Sequence, residues 1–534
     1  MANSNNSSSL GGCAVLLLPI AGIALAIAAA ALAAGAVIIG SILGLLIVGA
    51  FFWAMWIPIR VLRGASVVTP AVASPDEVRA GNVMGAAPNG DTAALGWDRA
   101  WPNYFPFQFE KELRAMKEEA RHSIAHVESM LVGESEPGGW RNNLAIAGTF
   151  VYGVVVRTST WIVVTALKII ARIYMMFQNL YAGRLKKQEQ KERAAIHAEI
   201  HCPACYREIS IPAYKCPVCG EQHNDLAPGN LGLHERICQC GTVLPIGVKN
   251  AAHKLEAFCP YCSYELSAGS GTRRLARVPV FGPPLVGKSL FLHSTVGKLE
   301  RGDAAGVMVQ PLSDHSKRFI DTSREFVADQ RTINQTPVDL KEPAISLLAT
   351  TASEQIEIHF MDAAGEKFTS IDTAADLTYL DSAKTLILVV DPLSIADINI
   401  QISSEAKTKY RPAAKSANDA YGAVVDRLLN SSTDLNTRHL AVVVSKADAI
   451  NELFPNHPIS GSSSQVREWL MDNGADELVR RAEIDFGQNV TYFAIDSVNH
   501  ERGISEFDPL NVIEWIIECS GSTLGLSRPE DHTP

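Results

Sequence analysis

The chain has 534 residues, room for about three domains on ordinary domain sizes, so no single core has to account for it. Its formal charge of −10 gives none of the basic footprint that nucleic-acid-binding domains carry, and a nucleic-acid partner is not expected. Hydrophobic residues make up 47 % of the chain, and the excess is concentrated at the N-terminus, which points to a membrane.

From Cys13 to Ile59 nearly every residue is apolar or small and none is charged. One membrane helix takes about 20 apolar residues, so the run suits two helices joined by a tight turn near Ala34-Gly35. Residues 10–62 are therefore read as a transmembrane helical hairpin. A cleaved signal peptide is the competing reading; against it, no Lys or Arg precedes the run, and the run exceeds the apolar core of a signal. Arg60 and Arg63 close the run, and the positive-inside bias places that end, and the N-terminus with it, in the cytoplasm.

Residues 64–143 read as a linker without helical period and then an amphipathic helix. Phe109, Leu113, Met116, Ala120, Ile124, Val127 and Leu131 recur at three- and four-residue steps, a stripe expected to pack on a neighbouring helix. Residues 144–180 are a third transmembrane or an interfacial helix. Leu144 to Val156 and Trp161 to Leu167 are apolar, but Arg157 interrupts them, and Lys168 and Arg172 come after. Length favours a third span, which would put Arg60 outside; an interfacial helix avoids that conflict. Arg184, Lys186, Lys187, Lys191 and Arg193 mark the chain from there to the C-terminus as lying on the cytoplasmic side of a plasma or inner membrane.

Within residues 200–265 the cysteines fall as Cys202-x-x-Cys205, Cys216-x-x-Cys219, Cys238-x-Cys240 and Cys259-x-x-Cys262. Short pairs separated by loops are the knuckles from which tetrahedral Zn–S₄ sites are built, two knuckles to a site, so two Zn²⁺ sites are expected. Sequential pairing of neighbouring knuckles is expected, with crossed pairing as its rival. Disulfides conflict with a reducing compartment. His201, His223 and His234 lie close enough in sequence to replace a ligand. The block resembles tandem zinc ribbons. With every position filled, such sites have no room for a reacting water, and they imply a structural brace or a surface for a protein partner.

Residues 274–522 alternate apolar runs with helical patterns, as in an α/β, doubly wound, mostly parallel sheet with ligand loops at the carboxyl ends of its strands. The runs are Ile345–Leu348, Ile356–Met361, Thr385–Val390, Leu440–Val444 and Val490–Ile495. Ahead of them, the strand from Val278 meets Gly282-Pro-Pro-Leu-Val-Gly287-Lys288-Ser289 and then a helix. Loop N–H groups and a helix N-terminus form a concave anion site, Lys288 reaches the β- and γ-phosphates, and Ser289 is placed to ligate Mg²⁺. Gly287 is expected to let the backbone approach the phosphates.

Three later strand ends add chemistry. Asp362-Ala-Ala-Gly365 offers a carboxylate for Mg²⁺ through water and an N–H for the γ-phosphate. In Ser445-Lys446-Ala-Asp448, the Asp448 carboxylate can accept both N–H donors of the guanine edge, a pair that adenine lacks. The loop at Ser497 can donate an N–H to the guanine carbonyl.

In this order the elements resemble the Ras-like and translation-factor (TRAFAC) class of P-loop GTPases. The resemblance implies GTP/GDP and Mg²⁺ as ligands, with Lys288 and the metal stabilising charge on the transferred phosphoryl group. It also implies a switch I hydroxyl, for which Thr336 is the candidate and Thr332 the runner-up. Ser445 stands where the family usually has Asn or Thr. Glu366 stands where small GTPases carry the Gln that orients water, so hydrolysis without a partner is expected to be slow. An extra apolar run, Val307–Leu312, and a helix from about Asp314 to Gln330 resemble the bacterial double-GTPase domains, although one phosphate loop is present. The reading is a membrane-anchored GTPase switch, with a protein partner met through the switch loops or the ribbons. An ATP-driven membrane ATPase and a nucleotide-binding scaffold without turnover are the alternatives. Ala363 after Asp362 speaks against the first, which usually has Glu there.

Overall fold

The computed structural model describes residues 12–68, 70, 73, 100–132, 139–229, 231–238, 240–329, 343–361, 380–381, 383–431 and 434–526. They divide into two compact units, one of residues 1–184 with 228–243 and one of 185–227 with 244–534.

The first unit is helical. Helix α1 is Gly12–Leu62, α2 is Ala100–Val132, and α3 is Trp140–Ala195, whose last turns, from Leu185, belong to the second unit. The expected hairpin is absent: α1 runs unbroken through Ala34-Gly35. A single Gly in an Ala-, Leu- and Ile-rich run costs about 1 kcal/mol against Ala, too little to stop a helix without further turn residues. At 51 residues and 1.5 Å each, α1 is about 76 Å long, more than twice a hydrocarbon core. Among the described residues, two helices are long and apolar enough to cross a membrane, α1 over Leu25–Leu62 and α3.

The stripe on α2 is buried where it meets partners. Phe109, Leu113, Met116, Ala120 and Ile124 share one cluster with Ala50, Ile57 and Val61 of α1 and Val156 and Val164 of α3. Val127 is half-buried and Leu131 exposed, so the stripe ends there. Arg60 pairs with the buried Glu119 at 3.3 Å, and Trp53 Nε1 donates to Ser123 Oγ at 2.6 Å. An arginine neutralised in this way is a weaker topological signal than its sequence position suggests.

The second unit is built on a seven-stranded sheet. Its strands are β1 Arg274–Phe281, β2 Met308–Pro311, β3 Ile345–Thr350, β4 Gln355–Met361, β5 Thr385–Val390, β6 His439–Val444 and β7 Val490–Ala494. Their order is β7-β6-β5-β1-β4-β3-β2. From β7 to β4 all neighbours are parallel, whereas β3 runs antiparallel to both β4 and β2, so the sheet is mixed.

Strand β5 is buried along its whole length, as a parallel strand covered on both faces must be. Its side chains alternate: Leu386, Leu388 and Val390 enter one core and Ile387 and Val389 the other. The first core takes the apolar faces of α6 (Ala417–Asn430), α8 (Ser463–Asp472) and α9 (Asp476–Phe486). The second takes α4 (Lys288–Arg301) and α10 (Leu510–Cys519). Between them in the chain lie α5 (Asp314–Asp329) and α7 (Ala447–Leu453).

The same unit contains a small antiparallel sheet in the order Gln222–His223, Ala213–Lys215, Ala257–Phe258, Glu265–Leu266. The knuckle at Cys202 and Cys205 lies with the one at Cys259 and Cys262, the first in the chain with the last. This overturns the sequential pairing of knuckles and is not the crossed pairing either.

Candidate nucleotide-binding site

Strand β1, with Val278 and Val280 fully buried, delivers Gly282 to the carboxyl end of the sheet. A Cβ on Gly282 would lie 2.7 Å from the carbonyl oxygen of Val389 in β5, so no other residue fits between the two strands. Gly287 has space around it, but its φ of +96° makes it a left-handed N-cap for α4. Such a φ is one that glycine adopts without steric cost. No side chain caps α4, so the positive end of the helix faces the loop. The buried Lys288 ammonium donates to the carbonyls of Gly282 (3.0 Å) and Pro283 (2.9 Å), which hold it within the loop. Ser289 comes next, half-buried in the first turn.

The base side is fastened to this loop. After β6, Ser445 Oγ donates to Val286 O of the phosphate loop (2.7 Å), and its N–H donates to Val390 O (2.9 Å). Ala447 N donates to Ile495 O (3.1 Å), which joins the loop after β6 to the loop after β7. A hydroxyl at position 445 therefore links the phosphate loop to the base loop. Lys446, at φ +54°, precedes α7, and Asp448 lies in its first turn. Asp448 is exposed at the surface, yet the protein around its carboxyl raises its pKa by desolvation, and the Asp496 carboxylate adds to the rise. Asp496 shapes the last loop, its Oδ1 accepting from Val498 N (2.9 Å) and Asn499 N (3.0 Å); Ser497 beside it is buried.

The structure thus gathers Gly282, Gly287, Lys288, Ser445 and Lys446. Thr332, Thr336, Asp362, Gly365 and Glu366 lie outside the described residues. Motif reading missed Asp391, the fully buried residue after β5 whose carboxylate meets Lys446 at 2.7 Å. An Asp immediately after a wholly apolar strand was the available signal.

In the cysteine module, the Sγ atoms of Cys202, Cys205, Cys259 and Cys262 all lie within 4.8 Å of one another. Cys202 and Cys262 are 3.5 Å apart and Cys205 and Cys259 3.7 Å. Zn–S bonds of about 2.3 Å give tetrahedral edges of about 3.8 Å, whereas a disulfide needs about 2.05 Å, so the set fits a metal tetrahedron. Cys205 N and Tyr261 N donate to the sulfurs of Cys202 (3.5 Å) and Cys259 (3.4 Å), the inward-turned N–H groups of metal knuckles. His201 is not part of this set; its ring faces Glu199 at 3.6 Å.

A phosphate loop between β1 and α4, with the Ser-Lys-x-Asp loop after β6 bonded to it, sets the class: this domain is a P-loop GTPase. More narrowly, residues 276–508 match the family model described as Double-GTPase 2. No curated protein matches the chain. Among solved structures it is similar to Sup35 complexed with GDP, at 11 % identity and a TM-score of 0.21, covering 44 % of this chain and 41 % of that one. It is similar also to the cytosolic domain of the T. maritima FeoB iron transporter. For the GDP form the identity is 13 % and the TM-score 0.22, over 48 % of this chain and 67 % of that one. For the GMPPNP form they are 12 % and 0.22, over 48 % and 66 %.

Proposed function

We propose that the protein is a membrane-anchored GTPase switch, hydrolysing GTP to GDP on the cytoplasmic side of the membrane that α1 and α3 engage. The observation that carries this reading is the Ser445 Oγ to Val286 O bond at 2.7 Å, because it sets the base loop at a fixed distance from the phosphate loop. A nucleotide that fills both must match in base and in phosphates together. Lys288 would move from the Gly282 and Pro283 carbonyls to the β- and γ-phosphates, and Asp448 would accept the two N–H groups of guanine. Ser289 by its hydroxyl, Asp362 through water and Thr336 are the residues to hold Mg²⁺, which supplies charge neutralisation on the phosphates. Gly365 would donate its N–H to the γ-phosphate and Glu366 would orient the attacking water, so loss of that phosphate would release both switch segments.

Zn²⁺ in the two cysteine sets acts here as a structural brace. The module that carries the first set is bonded to the GTPase domain: Pro203 O accepts from Ala344 N (2.8 Å), and Lys384 pairs with Glu199 (2.7 Å). A protein partner would meet the switch segments or the exposed knuckles.

The test is turnover of GTP against ATP by the full chain with its zinc, together with Asp448→Asn. Guanine specificity that shifts toward xanthine in the variant is the expected result. Preference for ATP, or no purine nucleotide binding, sinks the reading.

A further inference from the structure

The Asp391 carboxylate has no exposed surface and accepts three donors, two of them remote in the chain. Oδ1 takes Leu393 N (3.0 Å), while Oδ2 takes Ala413 N (2.8 Å) and the Lys446 ammonium (2.7 Å). The same ammonium donates to Tyr410 O (3.1 Å) and Arg411 O (3.1 Å). An ammonium has three donors, and here all three are engaged. Each partner belongs to the connection between β5 and α6, which contains the short helices Ala396–Asn399 and Ser404–Tyr410. Arg411 is held at φ +44° and Lys446 at φ +54°, so the lysine and the carbonyl that receives it are both in a conformation that side chains disfavour. Such a conformation persists where surrounding bonds fix it. A buried carboxylate deprived of its cation is strongly disfavoured, so the pair holds the arrangement together.

We propose that Asp391 is a positioning residue for guanine recognition. It clamps Lys446, two residues before Asp448, and through Ala413 N makes the 391–413 connection the wall of the base site. Closing of that connection and binding of the base are then one event, and the rate at which guanine nucleotide leaves is set by the Asp391–Lys446 bond. The proposal rests on the GTP-binding reading and adds a residue that no motif in the sequence contains.

The experiment is a double-mutant cycle on the dissociation rate of a fluorescent GDP analogue, using the full chain with its zinc. Asp391→Asn is expected to speed release at least about tenfold, and Lys446→Met by a similar factor. The double variant should release no faster than the worse single one, because the two residues act through one bond. A general structural role would instead lower the melting temperature and leave release unchanged, or give effects that multiply in full. Either result overturns the proposal. If Asp391→Asn does not fold, the double variant, which removes both charges, is compared with Lys446→Met alone. Equal release supports the clamp, and a further full acceleration overturns it. Failure of the unaltered protein to bind GDP counts against the GTPase reading, a different outcome from any in the cycle.

Discussion

The two halves of the GTPase sheet are secured by different means. At the carboxyl ends of β1, β5, β6 and β7, the loops are tied to one another by the domain's own hydrogen bonds: Ser445 to Val286, Ser445 to Val390 and Ala447 to Ile495. At the carboxyl end of β4 the brace comes from outside the sheet. There β3 starts opposite β4, with Ile345 facing Phe360 in register, and the first cysteine knuckle docks on the junction. Pro203 O receives Ala344 N at 2.8 Å. Tyr206, immediately after Cys205, is buried in one cluster with Ala344, Met361 and Leu380. The base-and-phosphate half is thus self-supporting, whereas the half at the end of β4 leans on the cysteine module, a small unit with little core of its own.

The largest expected effect breaks that second brace alone. Structural zinc contributes on the order of 10 kcal/mol or more to small modules. Chelation, or Cys202→Ser with Cys259→Ser, should therefore lower the melting temperature of the full chain by roughly 10 °C or more, since one kcal/mol moves a domain of this size by a few degrees. Metal analysis of the unaltered chain should find two zinc ions. Melting unaffected by chelation would remove the contrast between the halves.

Tyr206→Ala keeps the metal ligands and deletes the contact. Truncation of a buried aromatic costs about 3 kcal/mol, so a drop of roughly 6–10 °C is expected with zinc content unchanged. GDP release should stay near its original rate, because the base side has its own ties. A large change in release would mean that the halves are not separately secured.

On the self-supported side, Ser445→Ala removes the hydroxyl shared between Val286 O and Val390 O, a neutral interaction worth about 1 kcal/mol. Binding of GTP and GDP, measured by titration, should weaken up to about fivefold, with the melting temperature lowered by only a few degrees. Ser445→Thr keeps the hydroxyl and should restore binding.

The same contrast separates what was legible in the sequence from what was not. The self-supported half is written in local motifs. Gly282 to Ser289 and Ser445 to Asp448 each adjoin a strand whose apolar run fixes its place, so neighbours in sequence suffice. The braced half depends on pairings between remote segments. Cysteine spacing fits any pairing of the knuckles, and the pairing of Cys202 and Cys205 with Cys259 and Cys262 shows only in the fold. The docking of Pro203 on Ala344 has no sequence signature at all. Asp391 is an intermediate case: its place at a strand end was visible, but its lysine partner was not. In α1 the error ran the other way, a weak local signal at Gly35 having been given more weight than a helix-forming run allows.

The smallest expected effect concerns the base loop itself. Desolvation raises the Asp448 pKa above the usual carboxylate range, and the Asp496 charge raises it further. Guanine needs the ionised form, since a protonated carboxyl can accept only one of the two N–H groups. The bound state therefore holds Asp448 unprotonated, and binding below its pKa must release a proton. Affinity is full well above the raised pKa and falls as pH drops through it, with a roughly twofold loss where half the carboxyls are protonated. Asp496→Asn removes the repelling charge, so its affinity loss should begin at lower pH than in the unaltered chain. Phosphate groups of the nucleotide titrate alike in both proteins, so the difference between the two pH profiles reports Asp448. Coincident profiles would show that Asp496 exerts no influence on the base-reading carboxylate.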